Sequence, residues 1–258
     1  MHALTRATKS GIGKAISTQL IRDGWLVTLC DIQDTAGQVL ATILSPNATF
    51  CPCNVLSYAS QASIFTHVHQ KHGRIDALLA NAGHSDRGSI YMLNWRDKDE
   101  IPPELGLLST DVCYKGFLYG VQLTIHFMRK NKGSGGVGGC VVATSSIASV
   151  HSHQTLPGYC GAKAAINQFK ENISINAILP GIVITGAVPQ ASIDTTTPER
   201  ITPVRTVEDA YKLCLDDTSM TGQLVECSVD KHFFLPAPEM ANGAAAKRAC
   251  TLCEPFFE

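Results

Sequence analysis

The stretch "ATKSGIG", residues 7–13, follows a short strand-forming run (residues 2–5, "HALT") and opens a segment of helical period. Ile12, Ala15, Ile16 and Leu20 recur at helical spacing, and Gly24 supplies the stop. A strand, a glycine-bearing turn and a helix N-terminus together make an anion site. Backbone N–H groups point outward there, and glycine lets a phosphate approach the chain closely. Alone, "SGIG" reads equally well as a plain turn. Asp31 adds weight, because it ends the next apolar run, "WLVTLCD". A carboxylate at that point accepts hydrogen bonds from both hydroxyls of an adenosine ribose and repels a 2′-phosphate. The competing reading of Asp31 is a helix cap or turn residue.

Outward from this unit, short apolar β-branched runs alternate with helical patterns along most of the chain. That alternation predicts an α/β fold, a doubly wound parallel sheet flanked by helices. Helices are expected near 35–44, 61–72, 109–130, 159–169 and 207–215. Strands are expected at 49–55, 75–83, 140–146, 173–181 and 223–229. Pro52 weakens the first of these or places it near a sheet edge. The polar stretch 84–103 is too long for a simple connection. No repeat or linker divides the 258 residues, so one domain is expected, with a C-terminal extension from 230 onward.

Composition narrows the function classes. A net charge of −1 gives no electrostatic footprint for nucleic acid or an anionic membrane. No apolar run reaches the length of a membrane span, and the first residues lack a signal-peptide core; the cytoplasm is the expected compartment. The ten cysteines are then expected to be reduced and largely buried. "CPC" (Cys51, Cys53) and "CTLC" (Cys250, Cys253) lack a second pair at zinc-site spacing, so no metal is expected.

A second station carries chemistry. In "YCGAK", Tyr159 and Lys163 stand four apart, one above the other on a helix face. An ammonium beside a phenol favours the phenolate, and such a tyrosine can exchange a proton with a substrate alcohol while hydride moves. Ser146, at the end of "CVVATSS", offers a hydroxyl to hold the substrate oxygen. Singly, each of these signals is common on ordinary surfaces.

Together, "SGIG", Asp31, "NAG" (residues 81–83), Ser146, "YCGAK" and "PGIVIT" occur in one order. In this the chain resembles the short-chain dehydrogenases/reductases over nearly its whole length. It is most similar to the NAD-dependent 15-hydroxyprostaglandin dehydrogenase-like branch, fungal members included, through "LLSTDVCYKGFLYGVQL" and "TGQLVECSVDKHFFLP". The resemblance implies that Tyr159 is the general acid/base, that Lys163 binds the nicotinamide ribose, and that Ser146 positions the reacting oxygen. It implies a cofactor site of Gly11, Ile12 and Gly13 on the pyrophosphate and Asp31 on the adenosine ribose. Asn54 then faces adenine, Asn81 borders the cofactor, and Val183 and Thr185 meet the carboxamide; Tyr159 and Lys163 also touch the cofactor. The expected cofactor is NAD, with NADP left open.

Four positions depart from that pattern. Arg6 and Ala7 replace a Thr-Gly pair after a shortened strand, and a Cβ at Ala7 is costly if the turn needs positive φ. Cys113 stands where the family has an asparagine in its proton relay, which is expected to slow turnover. The segment between Lys163 and Pro180 is short, which makes a homo-oligomer doubtful, and "VDKHFF" replaces a Gly-Gly ending. The expected activity is interconversion of a secondary alcohol and a ketone on a lipophilic small molecule. Two alternatives remain open: a catalytically impaired binding or scaffold protein, and a redox-neutral isomerase or dehydratase. His151 and His153 read as solvated loop residues. Phe233 and Phe234 read as pocket wall or core.

Overall fold

A computed structural model describes residues 1–7, 11–88, 90–131, 138–169, 173–186, 188 and 193–243. Eight strands form one sheet in the order β3-β2-β1-β4-β5-β6-β7-β8. These are β1 (His2–Arg6), β2 (Leu26–Asp31), β3 (Ala48–Pro52), β4 (Ala77–Ala80), β5 (Cys140–Thr144), β6 (Ser174–Pro180), β7 (Leu224–Ser228) and β8 (Lys231–Leu235). All neighbours pair in parallel except β7 and β8, which form an antiparallel hairpin. Strands β1, β4, β5 and β6 are buried at every position, as parallel strands covered on both faces must be. The short β1 nevertheless pairs with β2 along all five of its residues. The strand carrying Pro52 lies at the sheet edge, where a missing backbone donor is tolerated.

Two apolar layers sandwich the sheet. Helices α1 (Gly11–Arg22) and α2 (Asp34–Leu44) cover one face through Ile16, Leu20, Leu40 and Ala41. Helix α3 (Tyr58–His72) covers the other through Ile64, Phe65 and Val68. The expected helix 109–130 is a composite: α4 (Leu108–Thr110), a π-helical turn (Asp111–Lys115) and α5 (Gly116–Met128). It packs on the α3 side through Phe117, Val121 and Phe127. Helix α6 (Pro157–Ile166) is ten residues long and precedes β6, which begins at Ser174. Helix α7 (Val204–Asp216) is longer than the periodicity at 207–215 implies and buries Val207, Ala210, Tyr211 and Cys214 on the α1 side. The tail from 230 contributes β8 to the sheet.

Strand order reverses between β1 and β4, each continuing to different sides of the sheet. Ligands of open α/β sheets bind in the crevice that this reversal opens at the strand C-termini. The candidate residues must therefore be sought after β1, β4 and β5.

Candidate active site

The loop after β1 is seen from its two ends, since Thr8, Lys9 and Ser10 lie outside the described residues. Ala7 has φ 53, so the turn does require the left-handed backbone that the sequence left conditional. Its N–H donates to the Cys30 carbonyl at 2.9 Å, and Asn81 Nδ2 donates to the Arg6 and Ala7 carbonyls at 3.3 and 3.4 Å. Across the loop, a Cβ on Gly13 would stand 2.1 Å from the Ala7 carbonyl oxygen. Gly11, at φ +60, lies against Thr185; a Cβ there would come within 2.8 Å of its Cγ2. The glycines thus hold the start of α1 close to β1 and to the segment after β6. Ile12, half-buried, packs on the α1-side core, and Val183 lies within that core.

Asp31 ends β2 on the same rim and accepts a hydrogen bond from Gln33 N–H at 3.0 Å. Asn54, exposed just past β3, spends its side-chain oxygen on the Leu56 N–H at 3.0 Å. Its amide nitrogen is the end still available to an adenine. A helix start beside the strand end, a cradle that two Cβ atoms would fill and a carboxylate at the next strand end fit a dinucleotide lying across the crevice.

The second set gathers at the end of β5. Lys163 is 2% exposed, and its Nζ donates to the Thr144 carbonyl at 2.6 Å. That nitrogen lies 5.6 Å from the centre of the Tyr159 ring on the same helix, as the four-residue spacing requires. Ser145 Oγ donates to the Lys163 carbonyl at 3.0 Å, tying the strand end to α6. Ser146 caps the short 3-10 turn Ile147–Ser149, its Oγ accepting the Ala148 N–H at 3.1 Å. A hydroxyl that accepts there keeps its own hydrogen for a ligand.

Three contributors escaped sequence reasoning. Asp86, in the long loop after β4, accepts the Tyr159 N–H at 3.0 Å and the Ser109 hydroxyl. It caps α6 from outside the helix, for Leu156 at the N-cap supplies no side-chain bond. The absence of Ser, Thr, Asp or Asn just before "PGYCGAK" was the available signal. Thr144 donates its hydroxyl to Asn81 Oδ1 at 2.8 Å and also meets the Tyr211 hydroxyl. Tyr211 is fully buried in α7, and burial pushes its phenol up. Nothing local in the sequence marks this pairing of β5 with α7.

Cys113 sits in the π-helical turn, where its sulfur accepts the His84 N–H at 3.4 Å and faces the His84 carbonyl at 3.4 Å. The thiol therefore links the π-helical turn to the start of the long loop after β4. His151 and His153 are exposed, as expected of loop residues. Phe233 and Phe234 are not core residues; on β8 they are 49% and 50% exposed. Cys250 and Cys253 lie outside the described residues.

Comparison with known proteins agrees with this architecture. The sequence model of the short chain dehydrogenase family matches residues 2–196. The chain is 44% identical to short-chain dehydrogenase/reductase prx6 of Penicillium rubens, over 99% of this chain and 90% of that protein. It is 31% identical to prx7 of the same fungus, over 89% and 83%. More distantly, it is 29% identical to mouse 15-hydroxyprostaglandin dehydrogenase [NAD(+)], over 71% and 67%. A short-chain type dehydrogenase/reductase from Mycobacterium marinum shares the fold, with a TM-score of 0.75 at 20% identity, over 88% and 93%. The chain belongs to the short-chain dehydrogenase/reductase family, a family of oxidoreductases that generally binds NAD or NADP. Among the described residues, no helix is long and apolar enough to cross a membrane.

Proposed function

We propose that the protein oxidises a secondary alcohol to a ketone, or runs the reverse reaction, with NAD as its cofactor. The observation that carries this reading is the joining of Ser146, Tyr159 and Lys163 at the end of β5, beside the β1–β4 crevice. A nicotinamide dinucleotide supplies the hydride acceptor or donor. Lys163 spends one of its three donors on the Thr144 carbonyl and keeps two for ribose hydroxyls. Tyr159 takes the alcohol proton, and Ser146 donates its free hydrogen to the substrate oxygen, where charge develops. Asp31 accepts from the adenosine ribose and disfavours a 2′-phosphate, which supports NAD over NADP.

Lipophilic substrates suit the loop between β4 and α4. It flanks α6 through Asp86 and exposes Ile90, Tyr91, Met92 and Ile101. An apolar surface beside a polar reacting group matches an apolar molecule bearing one hydroxyl or carbonyl.

The test uses a panel of lipophilic secondary alcohols and ketones with each cofactor. Tyr159→Phe is expected to lower turnover by about 10³-fold or more, within the usual range for a lost proton-transfer group, with NAD affinity nearly unchanged. Turnover at the parental rate in that variant rules the mechanism out.

A further inference from the structure

Helix α7 buries Thr206, Val207, Ala210, Tyr211 and Cys214. Packing on the sheet asks only for apolar surface, and phenylalanine would fill the place of Tyr211 without its hydroxyl. The phenol lies in the α1-side layer with Val207, Ala210, Val225 and Cys227. A hydroxyl taken that far from water needs a partner, and Thr144 Oγ1, at the end of β5, supplies it. The same helix reaches the other end of that strand, where the Cys140 thiol donates to the Cys214 carbonyl at 3.3 Å. Helix α7 thus holds β5 at its first and last residues.

Thr144 is buried, and both of its polar groups bond to residues of the site. Its carbonyl accepts from Lys163 Nζ at 2.6 Å, and its hydroxyl donates to Asn81 Oδ1 at 2.8 Å. Asn81 turns its amide nitrogen on the Arg6 and Ala7 carbonyls. Lys163 packs on the same strand-end loop, for a Cβ on Gly83 would stand 3.3 Å from its Nζ. One threonine joins the ammonium beside Tyr159 to the loop after β1. A β-branched side chain is stiff at χ1, so a hydroxyl held from one side also holds the strand end that bears the carbonyl.

We propose that Tyr211 is a positioning residue: through Thr144 it sets Lys163 and the loop after β1 relative to each other. Its effect on catalysis rests on the functional reading above, while the line of contacts does not. Without the phenol hydroxyl, Thr144 still meets Asn81 and Lys163, but the strand alone then holds it in place. Cofactor affinity and turnover are expected to fall together, since one displaced residue serves both. Ser146 is held separately, by the 3-10 turn that it caps, so the KM of the substrate is not expected to follow.

A tyrosine that only packs would act differently. Loss of its hydroxyl would lower the melting temperature through α7 and the strands beneath it, β5, β6 and β7. Well below that temperature the folded chain would bind NAD and turn over as before. A positioning residue changes the folded chain itself, and it does so through the Thr144 hydroxyl. Two variants at residue 144 separate these cases, one that keeps the hydroxyl and one that keeps only the shape.

The test uses the full chain. In the cofactor-free protein, amide hydrogen exchange resolved by peptide mass reads the loop through the Ala7 N–H, which donates to the Cys30 carbonyl. Tyr211→Phe is expected to speed exchange of the peptide carrying Ala7 by about fivefold, the factor of one net hydrogen bond, with α3 at its parental rate. Calorimetry with NAD is expected to show an affinity about fivefold weaker. Turnover on the best substrate of the panel is expected to fall about tenfold, with its KM near the parental value. Thr144→Val should reproduce these losses, and Thr144→Ser should keep the parental values. In the Thr144→Val background, Tyr211→Phe is expected to add less than about twofold, because its route is already cut. If Tyr211→Phe does not fold, Thr144→Val against Thr144→Ser decides, and equal values there overturn the proposal. Parental exchange at Ala7, parental NAD affinity, or losses that multiply in the double variant overturn it too. A parental chain that binds no NAD fails the functional reading instead, and the exchange measurements then decide this one.

Discussion

Ala7 holds a backbone conformation that costs an L-residue about 1–2 kcal/mol, and it does so where the chain must turn back over α1. Two hydrogen bonds fix it there, one to β2 and one from Asn81. Ala7→Gly relieves the strain but loosens the unfolded chain by roughly 0.4–1 kcal/mol. The expected net result is a gain of up to about 1 kcal/mol in thermal unfolding, with NAD affinity equal or tighter. A lower melting temperature in Ala7→Gly would show that the turn is not strained. The sequence identified Ala7 as the critical position but left the sign of the effect to φ. Arg6 was less legible still, because its partners Gln61, Gly116 and Gly120 come from elements far along the chain. Asp31 and Lys163 could be placed from local pattern, since a strand end and a helical repeat define both.

At the scale of elements, α6 depends on a residue that it does not contain. The Asp86 carboxylate satisfies a backbone donor in the first turn of the helix that carries Tyr159, where negative charge also suits the helix dipole. Asp86→Ala is expected to cost about 1 kcal/mol of stability, the typical value for a lost N-cap. Turnover is expected to fall more than NAD affinity, because the tyrosine shifts while the loop after β1 does not. Asp86→Asn, which keeps an acceptor, should restore most of both; equal loss in the two variants would show that the hydrogen bond is not the cause. Hairpin β7–β8 shows why one strand was missed. Its turn places Val229 at φ 53 rather than the expected glycine or asparagine, so the usual hairpin signal is absent. The turn holds because Thr202 accepts the Val229 N–H at 3.2 Å and Thr206 donates to its carbonyl at 2.8 Å.

At the scale of the whole molecule, a buried histidine in the first strand makes stability sensitive to acid. His2 begins β1, stacks on His72 at 4.2 Å, bonds to Thr28 Oγ1 at 2.8 Å, and has no partner for Nδ1 among the described residues. Burial, then repulsion from His72, holds it at about 4, with Asp76 opposing and Lys71 adding a small repulsion. Its folded pKa lies below its unfolded one, so the unfolded chain binds the extra proton between about pH 6.5 and 4. Stability is therefore fully present above that window and falls as pH drops through it. The expected loss between pH 7 and 5 is roughly 2 kcal/mol by linkage, measured by urea unfolding. His2→Gln, which keeps a bond to Thr28, should remove most of it; an unchanged slope would place the sensitivity elsewhere.

The line Tyr211–Thr144–Asn81–Ala7 has a direction. Thr144 gives its single hydroxyl hydrogen to Asn81, so Tyr211 must be the donor to Thr144, and the Asn81 amide is left facing the carbonyls of the loop. A phenolate could not fill the first place in that sequence, and burial keeps Tyr211 protonated well into the alkaline range. The seat of the loop after β1 therefore keeps this line of hydrogen bonds as pH rises into the alkaline range, where the proposed proton exchange at Tyr159 would respond. An alkaline change in rate would report on the chemistry, while the affinity term stays still.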